Sequence, residues 1–427
     1  LQGAVSRHGE ITKDALMGKG VDRHLFVLKR MALEKDGQLP AVYEDKAYKR
    51  MEIREAHLRE QVLVGLKRRE ESLYDEEFEH GDVDVDATSA QQRIRPAQEY
   101  FVEPVTRFLY EADITPSGWV SVATTNPVKT PVSVCDIELQ AQPGDFRRIE
   151  RDLDAPYTVL YYDIETLGLD PQESPVIQIS MVFVTDGARR KYLVALGTVA
   201  PLPGVIVHEC HGEAELLSTF RRVLLERDPD FVVAYNGVNF DNRYLAVRSE
   251  RGKALASSDV DDFWYTSRFA FRPARLRELR LSSSGMGDNL LRYIDMPGRT
   301  NFDWFIKLKR DLTSEPKYSL NHFATKFCGL QKEDMDYKEI PVLQAGSADD
   351  RARLGSYCVV DSDLLEDLNQ ARTMIIEILQ FSSVFGVLPE WVYFRGQQVR
   401  FIAQLLKAVR VSEKIPLILN RPPNGFV

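Results

Sequence analysis

The stretch that decides the fold is YTVLYYDIET at residues 157–166. Five apolar or aromatic residues among the first six positions run into two acids, Asp163 and Glu165, with one residue between them. An apolar run of this length, rich in aromatic and β-branched side chains, reads as a buried strand. Side chains two apart on a strand point to the same face. The two carboxylates are therefore expected side by side where the strand leaves its sheet. Taken alone, such a pair is more often a solvated strand end than a working site.

Working outward, PVIQISMVFV at 175–184 and KYLVAL at 191–196 read as the next two strands, and EAELLSTFRRVLLER at 213–227 as an amphipathic helix. FVVAYN at 231–236 reads as a further buried strand and DNRYLAVRSER at 241–251 as a second helix. Three strands followed by helix, strand and helix imply an α/β domain whose mixed sheet is flanked by helices.

Two more segments bring acids toward the same place. In FVVAYNGVNFDNRYL a buried strand passes through Asn236 and a turn containing Gly237 to Phe240 and Asp241, which opens the helix. An Asp here is commonly a helix N-cap; the functional alternative sends it into a pocket with Phe240 packed beneath. In GSYCVVDSDLL at 355–365, Tyr357 and Asp361 are four apart on a predicted helix and share a face. Alone, that pair could be a tyrosine bonding a surface acid. Together the three segments supply four carboxylates from separate elements, and such a group repels itself strongly unless cations are bound. Hard divalent ions with oxygen ligands, Mg²⁺ or Mn²⁺, suit it. Two ions roughly 3.5–4 Å apart can activate water and stabilise a departing oxygen in phosphodiester hydrolysis.

In this order and on these elements, the three segments resemble the Exo I, Exo II and Exo III motifs of the proofreading exonucleases in B-family DNA polymerases. CDIE at 135–138, PVIQIS at 175–180, MPGRTNFD at 296–303, KYSLNHFATKFCGLQKEDM at 317–335, RARLGSYCVVDSDLL at 351–365 and FRGQQVRFIAQLL at 394–406 make the resemblance delta-type or related viral. It implies an RNase H-like exonuclease fold and 3′–5′ hydrolysis of DNA, with Asp163, Glu165, Asp241 and Asp361 as metal ligands for two ions. It also implies that Tyr357 orients the attacking water and that Asn236 and Phe240 hold a frayed strand end. Ser319 and Leu320 fit the family pattern whose first residues touch the single strand; an amphipathic helix face is an equal reading of SLNHF.

The implied partner is a single-stranded or frayed primer 3′ end, with accessory replication subunits beside it, at a nuclear or viral replication site. The palm, fingers and thumb domains of that family are expected to lie outside this chain, so polymerisation by it alone is not expected.

The amino-terminal end differs. Residues 7–51, chiefly GKGVDRHLFVLKRMA and LPAVYEDKAY, resemble a carnitine O-acyltransferase segment. That family's catalytic histidine lies upstream of the segment and its S-T-S run is missing, so His8 and His24 are not expected to be bases. The change of resemblance points to a join between Met51 and about Gln98, expected to be a chimeric gene model. The alternative function is an acyltransferase fragment fused to a silent DNA-binding remnant.

The expected organisation is a helical fragment at 1–52, helical in HLFVLKRMALEK at 24–35, then a charged linker at 53–96. A small β-containing part at 97–150 follows, built from FVEPVTRFLYEADI, GWVSVATT and VSVCDIELQA. The exonuclease domain spans 151–372, with a helical segment at 373–427. A net charge of −9 over 427 residues offers no general attraction to nucleic acid, so any DNA contact must be local. Cys135, Cys210, Cys328 and Cys358 show no C-x-x-C spacing, which argues against a zinc site or disulfide framework and fits a reducing compartment. No apolar run is long enough to span a bilayer, and no membrane partner is expected.

Overall fold

The structure is a computed structural model that describes residues 103–412, apart from 124–125, 152–154, 256–262, 270–271, 284–286 and 332–334, together with Phe26–Val27 and Ala97–Gln98. The helix expected over 24–35 and the linker at 53–96 lie outside the described residues, with one exception. Phe26–Val27 form a two-residue strand antiparallel to Ala97–Gln98, not a helical turn. An aromatic followed by a β-branched residue favours extended backbone.

The segment FVEPVTRFLYEADI is a second correction, because it holds the helix Pro104–Ala112. Proline suits a first helical position, and Val105, Phe108, Leu109 and Ala112 fall at helical spacing. GWVSVATT keeps its extended character, with Val120–Val122 paired antiparallel to Phe146–Arg148. VSVCDIELQA contributes only isolated bridges, Ser133 to Phe269 and Leu139 to Pro127.

Within the compact unit Leu109–Lys407 the strands are β1 (Thr158–Thr166), β2 (Val176–Thr185), β3 (Ala188–Leu196) and β4 (Val205–Cys210). Helix α1 (Glu213–Arg227), β5 (Phe231–Ala234) and α2 (Asp241–Leu255) follow. A hairpin, β6 (Arg275–Ser283) and β7 (Gly287–Asp295), leads to β8 (Thr300–Asp303) and α3 (Trp304–Asp311). The short α4 (Leu320–Phe323) and α5 (Ile340–Ala345) precede the 25-residue α6 (Ala348–Arg372). Then come α7 (Met374–Phe385), α8 (Trp391–Phe394) and α9 (Gln397–Ser412), which runs past the end of this unit at Lys407.

The six-stranded sheet has the order β8-β5-β1-β2-β3-β4. Its centre, β1-β2-β3, is an antiparallel meander, while β4 runs parallel to β3, and β5 and β8 run parallel to β1. This is the mixed sheet flanked by helices expected of the RNase H-like fold.

Both faces of β1 are buried, which is why its sequence is almost continuously apolar. Leu160, Tyr162 and Ile164 join the core with Leu216, Leu217, Phe220 and Leu224 of α1. Val159 and Tyr161 pack on the other face with Leu364, Leu365 and Leu368 of α6. Asp163 and Glu165 share that second face, so α6 covers the two acids.

Candidate active site

The carboxyl ends of the parallel strands β1, β5 and β8 meet at one edge, where open α/β sheets characteristically carry their sites. Asp163 and Glu165 end β1; opposite them on β2 stand Ser180 and Gln178. Ladder register slips just after Glu165, between it and Thr166, so the strand bends away as it leaves the sheet.

Helix α6 is fastened to this edge by polar bonds beneath its apolar stripe. Ser180 Oγ donates to the carbonyl of Cys358 at 2.8 Å and lies 2.6 Å from Ser362 Oγ. Gln178 Nε2 donates to the carbonyl of Arg351 at 2.9 Å, and Trp304 Nε1 to that of Leu365 at 3.1 Å. The close approach needs a glycine. A Cβ on Gly355 would stand 2.4 Å from Leu193 Cδ2 and 3.2 Å from Gln178 Oε1. Leu354, Cys358, Asp361, Ser362 and Leu365 are all buried along the face this presents. Tyr357, at the margin of that stripe, is half-buried.

The turn between β5 and α2 carries the third acid. Asn236 takes a left-handed backbone, φ 65°, which asparagine tolerates better than most residues. Its carbonyl accepts the amides of Asn239 and Phe240 at 3.0 and 3.2 Å. Gly237 allows the chain to turn against itself: a Cβ there would lie 2.7 Å from that of Ala234 and 3.6 Å from Asp241 Oδ2. Asp241 then begins α2 and is 4% exposed. Tyr162 of β1 donates to Asn242 Oδ1 at 3.0 Å, tying the helix start to the sheet. Phe240 packs on Tyr244, ring centroids 5.2 Å apart, against the core that α1 closes.

Burial acts on these acids as expected for charges withdrawn from water. It pushes Asp241 up to about 7, aided by the charges of Asp303 and Asp361 and opposed by amide donors, including that of Ile164. Asp303, at the end of β8, is pushed up to about 6 by burial, held down in part by amides from Val238, Ile306, Asn236 and Phe305. Burial also pushes the Cys358 thiol well up, reinforced by the charges of Asp163 and Glu165.

The tightest group among the described residues is not the expected four acids. The ligand atoms of Asp163, Glu165 and Cys358 lie within 4.8 Å of one another. Asp361 and Asp241 stand outside that group, though each is near enough to bear electrostatically on the other. Oxygen donors from separate elements, crowded so that burial and neighbouring charges raise Asp241, fit a divalent ion better than any neutral ligand.

Ser319 and Leu320 lie on a separate turn. Ser319 is exposed and caps α4, its Oγ accepting the His322 amide at 3.3 Å. Leu320 is 9% exposed, in the core with Phe231, Val233 and Trp304.

Two residues escaped the sequence reading. Cys358 lies between Tyr357 and Asp361 but looks like an ordinary apolar helix position. Asp303 accepts the amides of Asn236 and Val238, each at 3.1 Å, and that of Ile306 at 3.2 Å. It thereby fixes the turn bearing Asp241. An Asp ending a strand just before a helix was the available signal for it.

A family model described as DNA polymerase family B, exonuclease domain, matches residues 97–323. A second, Choline/Carnitine o-acyltransferase, matches residues 1–57. The chain is 32% identical over 319 residues to the DNA polymerase delta catalytic subunit of Dictyostelium discoideum, covering 72% of this chain and 28% of that protein. It is 30% identical to the DNA polymerase catalytic subunit of Human herpesvirus 8 type P (isolate GK18), over 72% of this chain and 31% of that one. To the Schizosaccharomyces pombe delta catalytic subunit it is 29% identical, over 73% of this chain and 30% of that one. The chain thus spans about three tenths of the length of these relatives. No helix among the described residues is long and apolar enough to cross a membrane.

Proposed function

This chain belongs to the DNA polymerase family B exonuclease-domain family, and from that premise we propose that it is a metal-dependent 3′–5′ exonuclease. Its substrate is the 3′-terminal phosphodiester of single-stranded or frayed DNA, and its product a nucleoside monophosphate. One observation carries the reading. Asp163 and Glu165 are set by β1 with ligand atoms within 4.8 Å, beneath the helix that bears Asp361.

We assign the metal positions to Asp163, Glu165, Asp241 and Asp361, filled by two Mg²⁺ or Mn²⁺ ions. Bound there, the ions supply the positive charge that favours ionised water and a departing 3′ oxygen. Asp163, Glu165 and Asp361 would hold one ion, Asp163 would also contribute to the second, and Asp241 would act largely through water. The Tyr357 hydroxyl orients the attacking water. Asn236 and Phe240 hold the unpaired end, the ring offering a base its face. Exposed Ser319 touches the strand, with Leu320 beside it. Mismatched ends are preferred because they cost less to unpair.

Within a longer polymerase, palm, fingers and thumb domains and accessory replication subunits would work beside this domain at a nuclear or viral replication site. We assign the exonuclease unit to residues 151–372. An acyltransferase reading has only the match over residues 1–57 in its favour.

The test is degradation of 3′-labelled single-stranded DNA in Mg²⁺ by the purified chain, beside Asp163→Ala and Tyr357→Phe. The reading expects Asp163→Ala to be inactive and Tyr357→Phe to lose rate with little change in DNA affinity. Equal rates for Asp163→Ala and the parent would sink it.

A further inference from the structure

The sulfur in this site is not needed by the hydrolysis proposed above. We propose that Cys358 makes it a mixed oxygen–sulfur site, in which a thiophilic divalent cation, zinc or cadmium, binds through Cys358 Sγ with Asp163 and Glu165.

The geometry is nearly assembled. Cys358 Sγ lies 3.8 Å from Asp163 Oδ2, and all three ligand atoms are within 4.8 Å. Ligands of four-coordinate zinc, at about 2.3 Å for sulfur and 2.0–2.2 Å for carboxylate oxygen, stand roughly 3.5 Å from one another. Closing the shell therefore asks the ligand atoms to approach one another by at most about 1.3 Å, within reach of carboxylate rotation. The sulfur does not have to be recruited from elsewhere. Cys358 is fully buried, and Ser180 holds its backbone and the next turn of α6 against β2.

Cation chemistry separates the two uses of the site. Mg²⁺ and Mn²⁺ prefer oxygen and gain little from a thiol, whereas sulfur raises affinity for zinc-like ions. Binding replaces the thiol proton: the metal–sulfur bond forms and the proton passes to solvent. The occupied site then holds an ion whose preferred shell differs from the one hydrolysis requires. Zinc thus occupies the position as a competitor of the working ion.

The inference rests on Asp163 and Glu165 being metal ligands, and its test separates the two claims. Mn²⁺ binding is followed by electron paramagnetic resonance, and Cd²⁺ binding by its thiolate charge-transfer absorption in the ultraviolet. Both use the full chain without DNA. The parent and a Cys135→Ser/Cys210→Ser/Cys328→Ser variant should show the cadmium band, and Cys358→Ser should not. Zinc affinity, read by displacement of Mn²⁺, should fall in Cys358→Ser by at least the ~10- to 100-fold that loss of an outer-shell partner costs, while Mn²⁺ affinity changes far less. Cys358→Ala replaces the serine variant if a hydroxyl there weakens the fold.

A cadmium band that persists without Cys358, or equal zinc affinities, overturns the inference and leaves the carboxylate reading standing. Failure of the parent to bind Mn²⁺ removes both.

Discussion

Gly355→Ala is the substitution that most sharply separates fold from site. In an isolated helix the change would stabilise by about 1 kcal/mol, since glycine is the poorer helix former. Here the added Cβ would meet Leu193 Cδ2 at 2.4 Å. Carbon atoms pack at about 3.5–4.0 Å, so a shortfall of about 1.1 Å must be absorbed. Leu193 cannot swing away, being fully buried among Ala195, Val199, Ala352 and Val359. Gln178, the next contact at 3.2 Å, is held by its bond to Arg351. The helix must therefore lift.

Overpacking of this kind costs about 1–3 kcal/mol. Net of the helix gain, the loss is about 0–2 kcal/mol. At roughly 2–4 °C per kcal/mol for a domain of this size, the melting temperature falls by less than about 8 °C. The site suffers more, because Cys358 and Asp361 ride on the displaced turns while Asp163 and Glu165 stay with β1. A misplacement of about 1 Å can cost about 100-fold in rate.

The assay pairs thermal unfolding with Mg²⁺-dependent release of a 3′ label. Leu193→Val, which shortens the obstructing side chain, should restore rate to the alanine variant although the double variant is no more stable. A variant that melts higher than the parent and cuts within threefold of its rate refutes the close seating of α6 on the sheet.

Asp303 gives a pH dependence of definite sign. Its folded value of about 6 lies above the ordinary 3.8, so between about pH 4 and pH 6 the folded state holds more protons and stability falls as pH rises. The difference, at 1.36 kcal/mol per pH unit, is about 3 kcal/mol. In chelator, the stability gap between parent and Asp303→Asn should move toward the variant by up to that amount from pH 4 to pH 7; denaturant unfolding that shows a constant gap counts against the buried charge. For the left-handed Asn236, Asn236→Ala should be about 1 kcal/mol less stable than Asn236→Gly, and both should bind single-stranded DNA more weakly by fluorescence polarisation. Unchanged affinity would confine Asn236 to shaping the turn.

Much of this was legible wherever local pattern and tertiary role coincide. EAELLSTFRRVLLER is helix α1 from its first residue to its last, and Asp228 ends it with a left-handed cap. YTVLYYDIET forms its strand because both faces are covered, which a continuous apolar run signals. The four acids fall on the strand end, turn and helix where their spacing put them.

The rest depended on contacts between distant segments. The edge strand β4, VIVHEC, is a short apolar run broken by His208 and Glu209 with mostly half-exposed positions, so its place in the sheet is set by pairing with β3 rather than by its own pattern. FVEPVTRFLYEADI mixes β-branched and aromatic residues, and only their helical spacing reveals the helix. No local pattern distinguishes Cys358 from a core position; its meaning comes from the acids brought to it by β1. Asp303 is likewise ordinary in sequence and becomes important only because the amides of Asn236 and Val238 turn toward it.

The central claim is best tested by the polarity and metal dependence of cleavage on one oligonucleotide, labelled at either end in separate reactions. With Mg²⁺, the 3′ label should leave at once as a mononucleotide, while the 5′-labelled strand shortens stepwise. Chelator should stop both, and Asp163→Ala should do neither. Release of the 5′ label first, or cleavage that continues in chelator, contradicts a metal-dependent 3′–5′ exonuclease built on these carboxylates.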